Sequence, residues 1–192
     1  MHTHNTTRAH TLDIETLLLL SILLAAGFIL NLTVGKALSA ISGGTIAPEF
    51  IIASMCTAIL LSSPGPKQAL IIGAISAAVI QITTTSPGID FIAEPIAALT
   101  MVAIVRLCAL GRCTRIAASL GTALATLVSG SIFALIKMLI TGFATQIFFI
   151  MMPVVIITAL CNAMIVELSY PQVDIALGEH PQHQRNDDEQ QI

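Results

Sequence analysis

Long apolar runs, broken by short joints rich in glycine, proline or polar residues, set the pattern of this chain. A helix that crosses a bilayer needs about 20 apolar residues. The runs predict six such helices, over about 17–40, 47–61, 67–81, 91–110, 116–140 and 145–168. Asp13 or Thr16 can cap the first, and the Ser42-Gly43-Gly44 break ends it. The second is short. A Pro64-Gly65-Pro66 turn separates it from the third. Pro95 falls in the first turns of the fourth helix, where proline is tolerated. Pro153 should bend the sixth, which is expected to end before Pro171. The predicted fold class is all-α, an integral membrane bundle of six transmembrane helices over 14–171. A cytoplasmic tail over 1–13 precedes it. The tail over 172–192 is polar, without apolar periodicity, and is expected to be disordered.

Composition supports this pattern. Hydrophobic residues make up 55% of the chain and charged residues only 10%, against about 25% charged in soluble domains. Mean hydropathy is +0.90. Asp174, Glu179, Asp187, Asp188 and Glu189 all follow Pro171, so the net charge of -3 says little about the bundle. No basic stripe suggests nucleic acid as a partner. The apolar run from Leu17 outlasts the 7–15 residues of a signal-peptide core, so it is expected to remain as a spanning helix. Cys56, Cys108, Cys113 and Cys161 are scattered without zinc-ligand spacing. The histidines, His2, His4, His10, His180 and His183, all lie in the tails. No metal site, cofactor or catalytic residue is therefore expected. Serine and threonine have no histidine partner, and no phosphate loop of the G-x-x-x-x-G-K type occurs. The chain is not expected to be an enzyme or to hydrolyse ATP itself.

Lysine and arginine set the expected orientation. With the N-terminus inside, the inner segments hold Arg8, Lys67, Arg106, Arg112, Arg115 and Arg185, while the connections near 41–47, 82–90 and 141–144 hold none. Both termini should be cytoplasmic in a multi-pass protein of the cell membrane. Small residues recur at helical spacing in Ala69-Gly73-Ala77, in Ala117-Gly121-Ala125 followed by Gly130 and Ala134, and in Ser21-Ala25. Such stripes let helix backbones approach closely, within the bundle or against another membrane protein.

Polar residues collect toward one end of the predicted bundle. Asn31, Lys36, Glu49, Gln81, Thr83, Asp90, Glu94, Lys137 and Asn162 all fall in its outer half. Carboxylates are expensive at membrane depth and mark functional sites there. The candidate substrate-binding residues are Glu49, Phe50, Gln81, Thr84, Asp90, Phe91, Glu94 and Asn162. A zwitterionic amino acid would need an anion for its ammonium, from Glu49, Asp90 or Glu94, and a donor for its carboxylate, from Asn162, Lys137 or Lys36. Phe50, Phe91 and Met152 could wall an aromatic ring.

The segments Pro48-Glu49-Phe50, Ile82-Thr83-Thr84-Thr85-Ser86-Pro87 and Glu94-Pro95 resemble the bacterial tryptophan transporter family. Leu127-Val128-Ser129-Gly130, the run from Met152-Pro153 to Asn162, and Tyr170-Pro171 extend the resemblance over roughly 43–171. That family is similar to the substrate-binding S components of energy-coupling-factor transporters. The resemblance implies six helices, an externally open pocket, and uptake driven by a separate module of a transmembrane coupling subunit and two cytoplasmic ATPases. S components dock through an Ala-x-x-x-Ala pattern on the first helix, for which Ser21 and Ala25 are the nearest match. The family's Asp-Lys pair before the proline of the fourth helix is replaced here by Ala93 and Glu94, which inverts the charge offered to a ligand. The implied function is uptake of a small solute: tryptophan, a related amino acid or a vitamin-like compound. Two rivals are a stand-alone proton-coupled carrier with Glu49 and Glu94 as its relay, and a non-transport membrane scaffold.

The charge bias makes a direct prediction about topology. Single cysteines placed at Ser42 and Gly88 should react with impermeant reagents from outside the cell, and one at Gly65 should not. The reverse labelling would invert the orientation.

Overall fold

A computed structural model describes residues 14–44, 46–84, 86–109, 114–142 and 145–176. Among these residues every regular element is helical. The order is α1 (Ile14–Leu30), a π-helical segment (Asn31–Gly35), α2 (Lys36–Ile41), α3 (Phe50–Ser62), α4 (Pro66–Ile80), α5 (Asp90–Ala109), α6 (Thr114–Ile140) and α7 (Thr145–Ala176). The first three run on as one rod over Ile14–Ile41. This rod, Asp90–Ala109, Ile116–Ile140 and Thr145–Ala176 are long and apolar enough to cross a membrane. Phe50–Ser62 and Pro66–Ile80 are apolar but shorter. Helix length alone thus supports four crossings where the apolar runs suggest six.

The short helix α3 is the most buried. Ile51, Met55, Cys56, Ala58 and Ile59 of α3 are fully enclosed, and α3 packs against α1, α4, α5, α6 and α7. A helix that is apolar all round belongs at the centre of a bundle. Around it, α4, α5, α6 and α7 each pack on the next in chain order. Leu18, Ile22, Phe149, Ile150, Leu160 and Met164 are exposed on the outside. A chain apolar both at its centre and on its perimeter is built for a hydrocarbon solvent.

Local chemistry explains the breaks. Ser63 adopts the left-handed conformation at φ 44°, and its N–H donates to the Ile59 carbonyl at 2.9 Å, closing α3 in the manner of an αL cap. Pro66 then opens α4 at its first position, where its missing N–H costs nothing. The Gly65 N–H donates to Gln68 Oε1 at 2.8 Å. Pro153 and Pro171 both lie inside α7, which continues to Ala176. The expected stop before Pro171 does not occur. Proline's fixed φ suits a helix, and both the bond it removes and the clash of its ring fall on one carbonyl four residues back, that of Glu167, an exposed residue. The polar tail expected from 172 onward therefore begins as helix. The rest of that tail, the 1–13 tail, Thr85 and Cys113 lie outside the described residues.

Small residues set the helix spacing. A Cβ at Gly27 of α1 would lie 2.8 Å from the Phe50 carbonyl oxygen of α3. At Gly73 of α4 it would lie 2.6 Å from Pro95 Cα and 2.8 Å from the Glu94 carbonyl oxygen. Ala69, Ala77, Ala117, Ala125 and Ala134 are also buried, so those stripes serve packing within the bundle. Ser21 and Ala25 differ: both are exposed on α1, with the Ser21 hydroxyl donating back to the Leu17 carbonyl at 2.7 Å.

Gly73→Leu should force α4 and α5 apart and destabilise the bundle by about 1–3 kcal/mol, the usual cost of overpacking. Ala103→Leu, at an exposed position of α5, should change stability by about 0.5 kcal/mol or less. Unfolding in detergent compares the two; equal effects would remove the close approach at Gly73 as a constraint.

Candidate functional site

One end of the bundle encloses a cavity of about 350 Å³. Its walls come from the Asn31–Ser39 stretch, the 47–49 connection, the start of α3, the end of α4, the start of α5, and the facing parts of α6 and α7. The Ile14–Ile41 rod and the helices α3 to α7, or the turns at their ends, all contribute.

The cavity depends on a stretch that is not helical. Residues 46–49 run without regular structure into Phe50, and Glu49 is the N-cap of α3 at φ -101° and ψ 84°. Such backbone needs partners for its N–H and C=O groups when buried. Side chains supply them. The Ile46 N–H donates to Ser42 Oγ at 3.0 Å. The Ala47 carbonyl accepts from Thr158 Oγ1 at 3.0 Å. The Glu49 N–H donates to Asn162 Oδ1 at 3.0 Å, and Asn162 Nδ2 donates to Thr126 Oγ1 at 3.3 Å. Asn162 is 0% exposed. Thr158 and Asn162 lie one turn apart on α7, so a single helix face pins the segment.

Two more carboxylates come from α5. Asp90 is its first residue and Glu94 stands one turn on, on the same face. Asp90 Oδ2 accepts from Gln81 Nε2 at 3.1 Å, and Gln81 Oε1 accepts the Gly88 N–H at 2.9 Å. Gly88 sits at φ +92°, a conformation open to glycine and rare for other residues. Gln81 thereby braces the turn that leads into α5. Glu94 is 1% exposed. Its Oε1 accepts from Ser129 Oγ at 2.5 Å, while its Oε2 is buried without a hydrogen-bond partner. The Gly73 contact brings α4 against the backbone of this turn.

Glu49, Thr83, Thr84, Asp90 and Glu94 all line the cavity, as do Asn31 and Lys36. The π-helical segment accounts for the last two. A wider turn inserted into a helix shifts which residues share a face, and Asn31, Gly35, Lys36 and Ser39 all meet the cavity. Lys36 is exposed and makes no ion pair among the described residues. Gln81 and Asn162 stand behind the lining and hold it in place. Phe50 and Phe91 are not part of the wall. Phe50 lies against the π-helical segment at Gly35, and Phe91 is 48% exposed on the outside. Each follows an acid that faces inward, and neighbours on a helix point about 100° apart. Lys137 lies with its Nζ 5.6 Å from the centre of the Phe133 ring and does not line the cavity.

From α6 and α7 the sequence offers only Asn162 as a candidate substrate-binding residue, and the lining is made by others. Thr126, Ser129 and Phe133 line the cavity from α6, and Met151, Val154, Val155 and Thr158 from α7. A signal was present: 126, 129 and 133 follow helical spacing and place two hydroxyls on one face of an apolar helix. Gly130 fits beside α7, since a Cβ there would lie 2.5 Å from Val155 Cγ1.

No family model, curated protein or solved structure matches this chain.

Asn162→Leu should leave the buried Glu49 N–H without its acceptor. The expected loss is about 1–3 kcal/mol of stability, the cost of an unsatisfied buried group, measured by unfolding in detergent. A loss below about 0.5 kcal/mol would mean that the 46–49 segment is held by other means.

Proposed function

We propose that the chain is a solute-binding membrane subunit, an S component that captures a small solute for uptake driven by a separate ATPase module. The observation that carries this reading is the cavity itself, polar at its acids and hydroxyls, and set into one end of an otherwise apolar bundle. Small-molecule sites are concave, largely apolar, and oriented by a few placed polar groups. The resemblance to the tryptophan transporter family adds an amino acid or vitamin-like compound as the kind of solute, with tryptophan among the candidates.

In this reading the chain crosses the membrane six times. At 1.5 Å per residue α3 is about 20 Å long, short of a hydrocarbon core of about 30 Å. The 46–49 segment completes the crossing, as irregular backbone does where it is buried in protein or lines a cavity. Discontinuous helices of this kind build the substrate sites of many transporters. Both termini are cytoplasmic and the cavity faces outward. The exposed Ser21 and Ala25 of α1 meet the coupling subunit, which in turn contacts two cytoplasmic ATPases.

Glu94 favours a second reading, the proton-coupled carrier, because a buried carboxyl with an unpartnered oxygen suits a proton relay. The two separate on energy source. Purified protein should bind a member of an amino-acid and vitamin panel, show no ATPase activity alone, and accumulate solute in vesicles only with the coupling module and ATP. Ala25→Trp should abolish accumulation and leave binding nearly intact. Accumulation by this chain alone under a proton gradient would transfer the assignment to the carrier.

A further inference from the structure

We infer that the solute taken by this cavity is a cation, an amine, amidine or guanidine whose charged end sits against Glu94 and whose apolar body lies along Phe133 and Met151. This rests on the solute-binding reading above and narrows it to a class of ligand. Three carboxyl groups line the cavity, from Glu49, Asp90 and Glu94, against the single lysine Lys36. Lys36 is exposed, whereas Glu94 is 1% exposed. Carboxyl groups thus gather in the cavity, with that of Glu94 buried, while the one lysine stands exposed.

The protein leaves these acids short of donors. Glu94 Oε2 is buried without a partner although Oε1 takes the Ser129 hydroxyl. The Glu49 side chain makes no capping bond to its own helix. Only Asp90 has a full amide donor, from Gln81. An ionised carboxylate accepts and never donates, whereas an ammonium carries three donors and no acceptor. A charge-assisted bond between the two is among the strongest that a dry site can form. A purely structural acid at position 94 would need only the acceptor that Ser129 uses; the second oxygen is open to a hydrogen that a ligand brings.

The remaining wall fixes the rest of the molecule. Ile52, Ile80, Phe133, Met151, Val154 and Val155 are apolar and line the same space. A volume of about 350 Å³ lies at the small end of ligand cavities. The ligand is therefore small, with an apolar body and one cationic end. Lys36 at the rim can meet a carboxylate or another acceptor at the far end, so amino acids are admitted, but the carboxylate is dispensable and the cation is not.

The test is a charge series on the purified full chain in nanodiscs, by calorimetry at pH 7. Tryptamine, tryptophan, tryptophol and 3-indolepropionate share one body, as do phenethylamine, phenylalanine, 2-phenylethanol and 3-phenylpropionate. Both sets are run beside the amino-acid and vitamin panel. In at least one set the amine should bind tenfold or more tighter than the alcohol and the acid, with the amino acid closer to the amine. Glu94→Gln should erase that tenfold preference, about 1.4 kcal/mol, and shift the alcohol by less than threefold. Asp90→Asn should weaken the amine by a smaller factor. The ranking on the parent chain decides the matter even if Glu94→Gln fails to fold. An acid or alcohol that binds as tightly as its amine overturns the cation assignment and leaves the solute-binding reading in place. So does a Glu94→Gln protein that keeps the preference. If nothing binds in either set or in the panel, the solute-binding reading falls and this inference with it.

Discussion

Four residues of irregular backbone, Ile46 to Glu49, sit inside an apolar bundle, and each buried peptide group among them needs a hydrogen-bond partner. That need explains much of what surrounds them. Side chains supply partners: Ser42 from the preceding turn, Thr158 and Asn162 from α7. Asn162 is in turn oriented by Thr126 of α6. These polar residues in apolar helices are therefore structural in the first instance. By holding the segment open they also leave space where a continuous helix would have filled the bundle.

The same economy appears at α5. Gly73 lets α4 press against the backbone at Glu94 and Pro95, and Gln81 ties the turn before Asp90. Two acids one turn apart are thus fixed by contacts that involve their backbone or one of their oxygens, and the other oxygen of Glu94 stays unused. Buried acids are costly, and a bundle built only for stability would complete their hydrogen bonds or replace them. Ser76 Oγ and Thr122 Oγ1 are also buried without a partner, but Glu94 is the one of the three that lines the cavity.

Much of this was legible before any fold was in hand. Acids stand out against a chain with 10% charged residues, and Glu49, Thr84, Asp90 and Glu94 meet in one cavity. The paired small residues marked the close approaches correctly for α4 and α6. Three things were hidden. Periodicity cannot tell which of two adjacent residues faces inward when both faces of a helix are apolar, so Phe50, Phe91 and Met152 are the expected wall where Phe133 and Met151 line the cavity. A π-helical turn has no strong sequence signal, yet it is what brings Asn31 and Lys36 to the cavity together. Proline signals a helix stop, but α7 passes through Pro171 because only one carbonyl loses its donor there.

The bonds that hold Glu49 and Ala47 join residues 113 and 111 positions apart in sequence. Chains are made from the N-terminus onward, and α3 is synthesised long before α7. Until Thr158 and Asn162 arrive, the 46–49 backbone has neither its donor nor its acceptor from that helix. The pocket therefore needs α7 to be complete, since Thr158 and Asn162 both come from that helix. A chain that lacked α7 would leave the Glu49 N–H and the Ala47 carbonyl without these two partners.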